Sequence, residues 1–262
     1  MADGNVGAYF EAFSTASARA RELVACDLGR RYGEGERETI DFFPAACANA
    51  PLFIWIHGGY WRRMSKNEFS FVAPPLTGAG AAVAVVNYPL APGPTLDEIV
   101  DSVRRAYAYA LANAGDLNAD RERVFLGGHS VGAQLAAMVA AAYEVRGLLT
   151  LSGLYDLEPL RFTHINDWIA MDTATAARNS PIHQPPLGAP ELAIAAGGQE
   201  QQAFHLQQRR YLAAWRGWGH EAREIEAENE NHFTIVLELA DAASRVSNAL
   251  RELMALESRP GR

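Results

Sequence analysis

Short apolar runs that alternate with helical segments are the feature of this sequence that most constrains its fold. Five such runs, mostly rich in Val, Ile or Leu, lie at residues 52–56, 82–86, 124–126, 148–151 and 192–196. Runs of this length that are apolar on both faces are typical of strands buried in a parallel sheet. Helices are predicted at residues 96–112, 131–143, 204–215 and 233–254. The alternation predicts an α/β fold with a mostly parallel central sheet flanked by helices.

Two further segments complete the predicted organisation. Residues 22–43 are interrupted by glycines and predict an antiparallel hairpin that enters the sheet. Residues 155–190 are rich in proline and lack a regular pattern, so we expect them to form a small lid or a wall of a pocket. Neither an internal repeat nor a low-complexity linker divides the chain, and residues 1–262 are predicted to form one domain.

Charge and composition argue against several classes of protein. The chain has 23 Lys and Arg against 31 Asp and Glu, a net charge of −8, which disfavours nucleic acid as a partner. Because no uninterrupted apolar stretch approaches 18 residues, no membrane span is predicted. The first residues lack a basic region followed by an apolar run, and Cys26 and Cys47 fit no metal-binding spacing. We therefore expect a cytoplasmic protein without a disulfide framework or a bound metal.

Ser130 is the first candidate for chemistry. It lies in Gly-His-Ser-Val-Gly at residues 128–132, directly after the predicted strand 124–126 and before an Ala-rich helix. A serine between a strand and a helix is typical of a nucleophile elbow, in which the flanking glycines allow a very tight turn. The start of the helix would also favour negative charge developing at the serine hydroxyl.

A Gly-Gly turn is the second candidate. His-Gly-Gly-Tyr-Trp at residues 57–61 follows the predicted strand 52–56. Acyl transfer from a serine needs backbone donors aimed at the developing oxyanion. We expect the N–H groups of Gly58, Gly59 and Val131 to serve as these donors, the alternative being a plain turn at the end of a strand.

A base and an acid would complete a triad with Ser130. In this fold pattern they follow the serine in the order acid, then histidine after the last strand. Of seven histidines, His232 fits, because it follows a predicted strand at residues 223–227. Glu200, after the penultimate predicted strand, is the preferred acid, and Asp156 is the alternative.

With these residues in place, the chain resembles the α/β-hydrolase superfamily and, within it, the arylformamidase (kynurenine formamidase) group. The matching motifs occur in order at residues 32–35, 39–44, 57–61, 88–92, 128–132, 152–157, 200–207 and 231–233. The resemblance covers about residues 20–245. One departure is Glu200, where the family usually has aspartate, and Gln201 and Gln202 replace a Ser-Pro-like pair.

The resemblance implies a serine hydrolase that cleaves a small aryl amide, such as N-formylkynurenine, through an acyl-enzyme. The alternatives are a broad carboxylesterase acting on short-chain or aryl esters and a ligand-binding protein on a hydrolase fold. An aromatic wall for the aryl group is expected from Tyr60, Trp61, Tyr155 and Trp168. Arg62 and Arg63 either meet a substrate carboxylate or are solvated surface residues. No organic cofactor or metal is implied, and the choice between a monomer and a homodimer stays open.

Overall fold

Eight strands form a single sheet in the part of the chain that the structure, a computed structural model, describes, which is residues 6–256. The strands are β1 (Asp27–Arg31), β2 (Thr39–Phe43), β3 (Ala50–Ile56), β4 (Ala82–Val86), β5 (Ala119–His129), β6 (Gly147–Leu151), β7 (Glu191–Ala195) and β8 (Ala222–Glu224). Their order across the sheet is β1-β2-β4-β3-β5-β6-β7-β8. The pairs β1–β2 and β2–β4 are antiparallel, and all other pairs are parallel.

Helices cover the two faces of this sheet. They are α1 (Val6–Leu23), α2 (Ala73–Gly78), α3 (Leu96–Ala112), α4 (Val131–Ala140), α5 (Asn166–Ile169), α6 (Thr173–Arg178), α7 (Gln202–Gly217), α8 (Thr234–Leu237) and α9 (Arg245–Leu253). Short 3₁₀ turns occur at Lys66–Glu68, Ser70–Val72, Ala114–Leu117, Glu158–Phe162, Pro181–His183 and Glu238–Ala240. Within residues 6–256, none of these helices has both the length and the apolar character that a bilayer crossing requires.

Each central strand contributes side chains to two separate cores. All seven residues of β3 are buried. Ile54 and Ile56 belong to the core on one face of the sheet, whereas Phe53 and Trp55 belong to the core on the other face. Successive side chains of a strand point to opposite faces, so a strand covered on both faces must be apolar throughout. This is the physical reason for the uninterrupted apolar runs in the sequence.

The structure agrees with most of the predicted elements. The five apolar runs correspond to β3 through β7, the predicted hairpin contains β1 and β2, and α3 has the predicted bounds. A capping box fixes the start of α3. There the Glu98 carboxylate accepts from the Thr95 N–H at 2.7 Å, and the Thr95 hydroxyl accepts from the Glu98 N–H at 3.3 Å.

One prediction of a helix was wrong, and one helix of the structure was not predicted. The segment 233–254 is not one helix but α8, a 3₁₀ turn and α9, which are separated around Asp241. Asp241 has an extended backbone, and the Ser244 hydroxyl accepts from the Ser247 N–H at 3.0 Å, which starts a new helix. Helix α1 was not predicted, although Val6, Phe10 and Phe13 recur at helical spacing.

The parallel arrangement determines where the chemistry-bearing loops lie. The strands β3, β5, β6, β7 and β8 run in the same direction, so their carboxyl ends lie along one edge of the sheet. The segments that begin at residues 57, 130, 152, 196 and 225 all start at this edge. Ligands of open α/β sheets bind at this edge.

Gly132 allows the start of α4 to approach the end of β3. A Cβ atom at Gly132 would lie 2.1 Å from the Ile56 carbonyl oxygen and 2.5 Å from the His57 carbonyl oxygen. We expect Gly132→Ala to lower the free energy of unfolding by about 1–3 kcal/mol, because backbone atoms must move apart. Urea denaturation measures this loss.

Gly78→Ala is the matched control, because a Cβ atom at this helical position would have no neighbour within 4 Å. It should leave stability unchanged or raise it by up to about 1 kcal/mol. Equal stability of the Gly132→Ala variant and the wild type would contradict the close approach.

Candidate active site

Ser130 occupies a single-residue turn between a strand and a helix. Strand β5 ends at His129 and α4 begins at Val131. The backbone of Ser130 has φ 56° and ψ −123°, a strained conformation for a residue other than glycine, and such strain concentrates at functional sites. The turn also requires Gly128, because a Cβ atom there would lie 2.2 Å from the Gly132 carbonyl oxygen. This steric requirement agrees with the predicted tight turn.

The Ser130 hydroxyl faces a cavity of about 650 Å³. Ser130 is 2% exposed, and within residues 6–256 its hydroxyl makes no hydrogen bond to a protein group. Glu200 and His232 line the same cavity. The three predicted triad residues are therefore brought to one cavity from three different loops.

The backbone of the segment 57–64 packs closely against Ser130. A Cβ atom at Gly58 would lie 2.8 Å from the His129 carbonyl oxygen and 3.2 Å from the Ser130 Cβ atom. In the described chain, the N–H groups of Gly58, Gly59 and Val131 donate no hydrogen bond to protein. These three groups are thus available as donors beside the serine.

A run of left-handed residues shapes this segment. Gly59 has φ 112°, Tyr60 has φ 51° and Trp61 has φ 57°. The Tyr88 hydroxyl donates to the His57 carbonyl oxygen at 2.8 Å, and His57 Nδ1 donates to the Gly58 carbonyl oxygen at 2.7 Å. These two bonds fix the backbone that precedes the left-handed run.

A hydrogen bond of 2.7 Å joins His232 Nδ1 to Glu200 Oε2. The Glu200 side chain is 1% exposed and the His232 side chain 16% exposed. Two glycines allow the loop that carries Glu200 to contact the loop that carries His232, called the histidine loop below. A Cβ atom at Gly197 or Gly198 would lie within 2.4 Å of a backbone oxygen of the histidine loop. The glutamate therefore reaches the histidine through close contact between the two backbones.

Glu200 accepts two further hydrogen bonds through Oε1. The Gly197 N–H donates at 2.7 Å, and the Ser152 hydroxyl donates through a very short contact. Ser152 directly follows β6, is 2% exposed and has φ 51°. This role was not predicted from the sequence, although Ser152 begins the motif at residues 152–157. The strained turn directs its hydroxyl toward the carboxylate.

Asp156, the alternative acid, does not contact His232. Its carboxylate forms an ion pair with Arg210 at 2.6 Å and accepts from the Glu158 N–H at 3.2 Å. Gln207 accepts from the Asp156 N–H at 2.8 Å. This network anchors the start of the insertion at residues 155–190 on α7. Of the two candidates, Glu200 is the carboxylate that lies against the histidine.

Helix α1 holds the histidine loop. The Asn231 side-chain amide donates to the Tyr9 hydroxyl at 2.9 Å, and the rings of Tyr9 and Phe233 stack with centroids 5.0 Å apart. Phe10 contacts Phe233 edge to face at 6.0 Å and also lines the cavity. An element outside the predicted motifs therefore forms one wall of the site.

The expected aromatic wall is only half present. Tyr60 and Trp168 line the cavity, and Trp168 Nε1 donates to the Tyr60 carbonyl oxygen at 3.0 Å. Trp61 does not line it, because it is fully buried and donates to Gln134 at 3.2 Å. Tyr155 is fully buried as well and stacks on Tyr211 at 4.1 Å.

Four other aromatic side chains of the cavity wall were not predicted from the sequence. They are Phe10, Phe13, Phe204 and Phe233. The predicted insertion at residues 155–190 contributes only His164 and Trp168, and its movement as a lid stays a prediction.

The two other histidines near Ser130 are poor proton acceptors. Burial lowers the pKa of His57 to about 4. Burial, followed by the charge of His232, lowers the pKa of His129 well below its ordinary value. Both imidazoles are therefore neutral at pH 7. Only His232 combines access to the cavity with a carboxylate on its second nitrogen.

A family model described as alpha/beta hydrolase fold matches residues 53–236. The chain belongs to the α/β-hydrolase family. In an alignment of 255 positions that covers 92% of this chain and 86% of that protein, the hydrolase is 32% identical to a kynurenine formamidase of Danio rerio. In an alignment of 269 positions that covers 97% of this chain and 90% of that protein, it is 30% identical to a kynurenine formamidase of Salmo salar.

Solved structures give the same fold. A protein of Silicibacter sp. TM1040, assigned provisionally as a thioesterase, superposes with a TM-score of 0.84 and 27% identity, covering 98% of this chain and 95% of that chain. An esterase of Pyrobaculum calidifontis superposes with a TM-score of 0.77 over 95% of this chain and 94% of that chain. At 17% identity, the second likeness concerns the fold alone.

Ser152→Ala tests whether this serine positions Glu200 in the hydrolase. Losing the hydroxyl removes a donor that holds the Glu200 carboxylate against His232, so the two groups should be less well oriented. We expect kcat to fall about 10-fold with KM nearly unchanged, which steady-state kinetics measure.

Ser102→Ala is the matched control, because Ser102 is also buried and donates to a glutamate, Glu38, at 2.8 Å, but does not line the cavity. It should lower stability and leave kcat unchanged. An unchanged kcat in Ser152→Ala, or an equal loss of kcat in both variants, would contradict the positioning role.

Proposed function

We propose that this hydrolase cleaves an N-formyl aryl amine, such as N-formylkynurenine, with Ser130 as the nucleophile. The observation that carries the proposal is the 2.7 Å hydrogen bond between Glu200 and His232 at the wall of the cavity that Ser130 faces. The kynurenine formamidase relatives, aligned over nearly the whole chain, supply the reaction class.

In the first step, Ser130 Oγ attacks the formyl carbon and His232 Nε2 takes the hydroxyl proton. Because Nδ1 is bonded to Glu200, the other ring nitrogen is the one left to act as the base. Glu200 holds the ring in this tautomer and stabilises the imidazolium that forms.

The N–H groups of Gly58, Gly59 and Val131 stabilise the tetrahedral oxyanion. Their freedom from other hydrogen bonds within residues 6–256 supports this role. Fixed backbone donors need no reorganisation when charge develops, and losing one typically costs a factor of about 10²–10³ in rate. The positive φ angles at residues 59–61 keep the donor segment in this conformation.

Collapse of the intermediate breaks the C–N bond. His232 gives its proton to the departing aryl nitrogen, and a formyl ester remains on Ser130. Water then attacks this ester, His232 takes a proton from the water, and formate leaves as Ser130 regains its proton. The formyl group is small, which suits a serine that the backbone of Gly58 approaches closely. The aromatic walls suit the departing aryl amine.

A broad carboxylesterase is the second candidate. Carboxylesterase NlhH of Mycobacterium tuberculosis is 31% identical over 98 residues, which are 37% of this chain. Short esters need the same nucleophile and donors but no group to protonate an amine, because an activated phenolate leaves by itself. Substrate preference therefore separates the two functions.

We expect kcat/KM for N-formyl-L-kynurenine to exceed that for p-nitrophenyl acetate by about 100-fold or more. Ser130→Ala should lower both values by at least about 10³-fold. Steady-state kinetics with purified enzyme measure the two substrates side by side.

Ser14→Ala, an exposed serine on α1, is the control and should match the wild type. Rapid ester cleavage with negligible formamide cleavage would favour the carboxylesterase instead. Turnover that survives Ser130→Ala would contradict the nucleophile.

A further inference from the structure

We propose that Arg62 and Arg63 form an anion-binding subsite that receives a carboxylate carried on the leaving aryl group of the substrate. The inference rests on the proposed function and extends it from the bond that is cleaved to the group that is recognised. Both arginines line the cavity that contains Ser130, Glu200 and His232. The subsite and the reacting groups therefore share one cavity.

The two guanidinium groups have no anionic partner. Within residues 6–256, neither forms an ion pair or a side-chain hydrogen bond. Several other arginines of the described chain do form ion pairs, among them Arg30 with Asp116 at 2.6 Å and Arg178 with Asp97 at 2.5 Å.

Glu200 is the only acidic residue among the described residues that line the cavity, and its carboxylate is engaged by His232. The cavity thus has an excess of positive charge in a protein whose net charge is −8. An anionic ligand would neutralise this excess, and a clustered charge of one sign also raises the local concentration of its counter-ion.

The position of Arg62 is fixed by the same segment that carries the oxyanion donors. Its guanidinium lies over the Trp168 ring, 4.7 Å from the ring centroid, and Trp168 is bonded to the Tyr60 carbonyl oxygen. The N–H groups of Arg62 and Arg63 both donate to the Gly59 carbonyl oxygen at 3.0 Å. The charge is therefore held at a set place relative to the Gly59 N–H.

A carboxylate on an aromatic ring fits this arrangement. Stacking on Trp168 covers a face of the Arg62 guanidinium and leaves its N–H edges to donate. A guanidinium edge presents two parallel donors that match the two oxygens of a planar carboxylate. The aryl ring would lie against the aromatic walls while its carboxylate meets the arginines. A neutral aryl formamide would gain only the apolar contact.

Two matched pairs of substrates test the subsite. Formanilide and 3-formamidobenzoate differ by one carboxylate and are cleaved at an amide. Phenyl acetate and 3-acetoxybenzoate differ by the same group and are cleaved at an ester. The wild type should prefer the carboxylated member of each pair at low salt, and the preference should shrink as sodium chloride screens the charges.

The variants Arg62→Gln, Arg63→Gln and the double variant remove the charge. We expect kcat/KM for the carboxylated substrates to fall about 10- to 100-fold, mainly through KM. The neutral substrates should lose less, so the ratio of kcat/KM for the charged to the neutral member of each pair should fall about 10-fold or more. Arg121→Gln is the control. It removes an exposed arginine near the start of β5, at the sheet edge opposite the site, and should leave all four values unchanged.

Two outcomes would overturn the subsite. One is a wild type that shows no preference for the carboxylated substrates. The other is an equal loss for charged and neutral substrates in the variants, which would assign the arginines to the conformation of the loop. Failure of the proposed function looks different, because the wild type would then cleave both esters and neither formamide. The ester pair would still report on the subsite.

Discussion

The parallel pairing of β3, β5, β6, β7 and β8 determines where the candidate catalytic groups of this hydrolase lie. Strands that run in one direction end at one edge, so loops far apart in sequence meet there. The pairing alone does not bring the loops into contact. Contact requires glycines, and at Gly128, Gly132 and Gly197 a Cβ atom would lie within 2.4 Å of another backbone atom. The strand pairing brings the loops to the same edge of the sheet, and the glycines allow the backbones of these loops to come into contact.

Hydrogen bonds hold Glu200 at the position proposed for the acid of the triad. Its carboxylate is held by three donors, from Gly197, Ser152 and His232, each on a different segment. A glutamate side chain has one more rotatable bond than an aspartate side chain. The three hydrogen bonds restrict its conformation to a single arrangement. The positive φ angles of Ser130 and Ser152 likewise restrict the backbone at the ends of the adjacent strands β5 and β6. Rigid turns after successive strands therefore hold the proposed catalytic groups in one relative position.

The sequence predicted the layers and the strand-end motifs because both depend on local patterns. Buried parallel strands must be apolar on both faces, and a tight turn must contain glycine. Two predictions failed for a common reason. Trp61 and Tyr155 follow strand ends as expected of site residues, yet both are fully buried. Which way such a side chain turns depends on packing partners such as Gln134 and Tyr211, and these are distant in sequence.

The role of α1 could not be derived from its pattern either. Helical spacing identifies an amphipathic helix, but the face it covers depends on the tertiary contacts of Tyr9 and Phe10 with the histidine loop. The same holds for Ser152, whose hydroxyl reaches Glu200 only because β6 and β7 are adjacent.

The most direct test of the central claim is covalent labelling by an aryl phosphonate, followed by peptide mass spectrometry and a labelling rate. The account predicts one adduct, on Ser130, and a rate that falls by about 100-fold or more in His232→Ala and in Glu200→Gln. An adduct on another residue, or a labelling rate independent of His232, would contradict it.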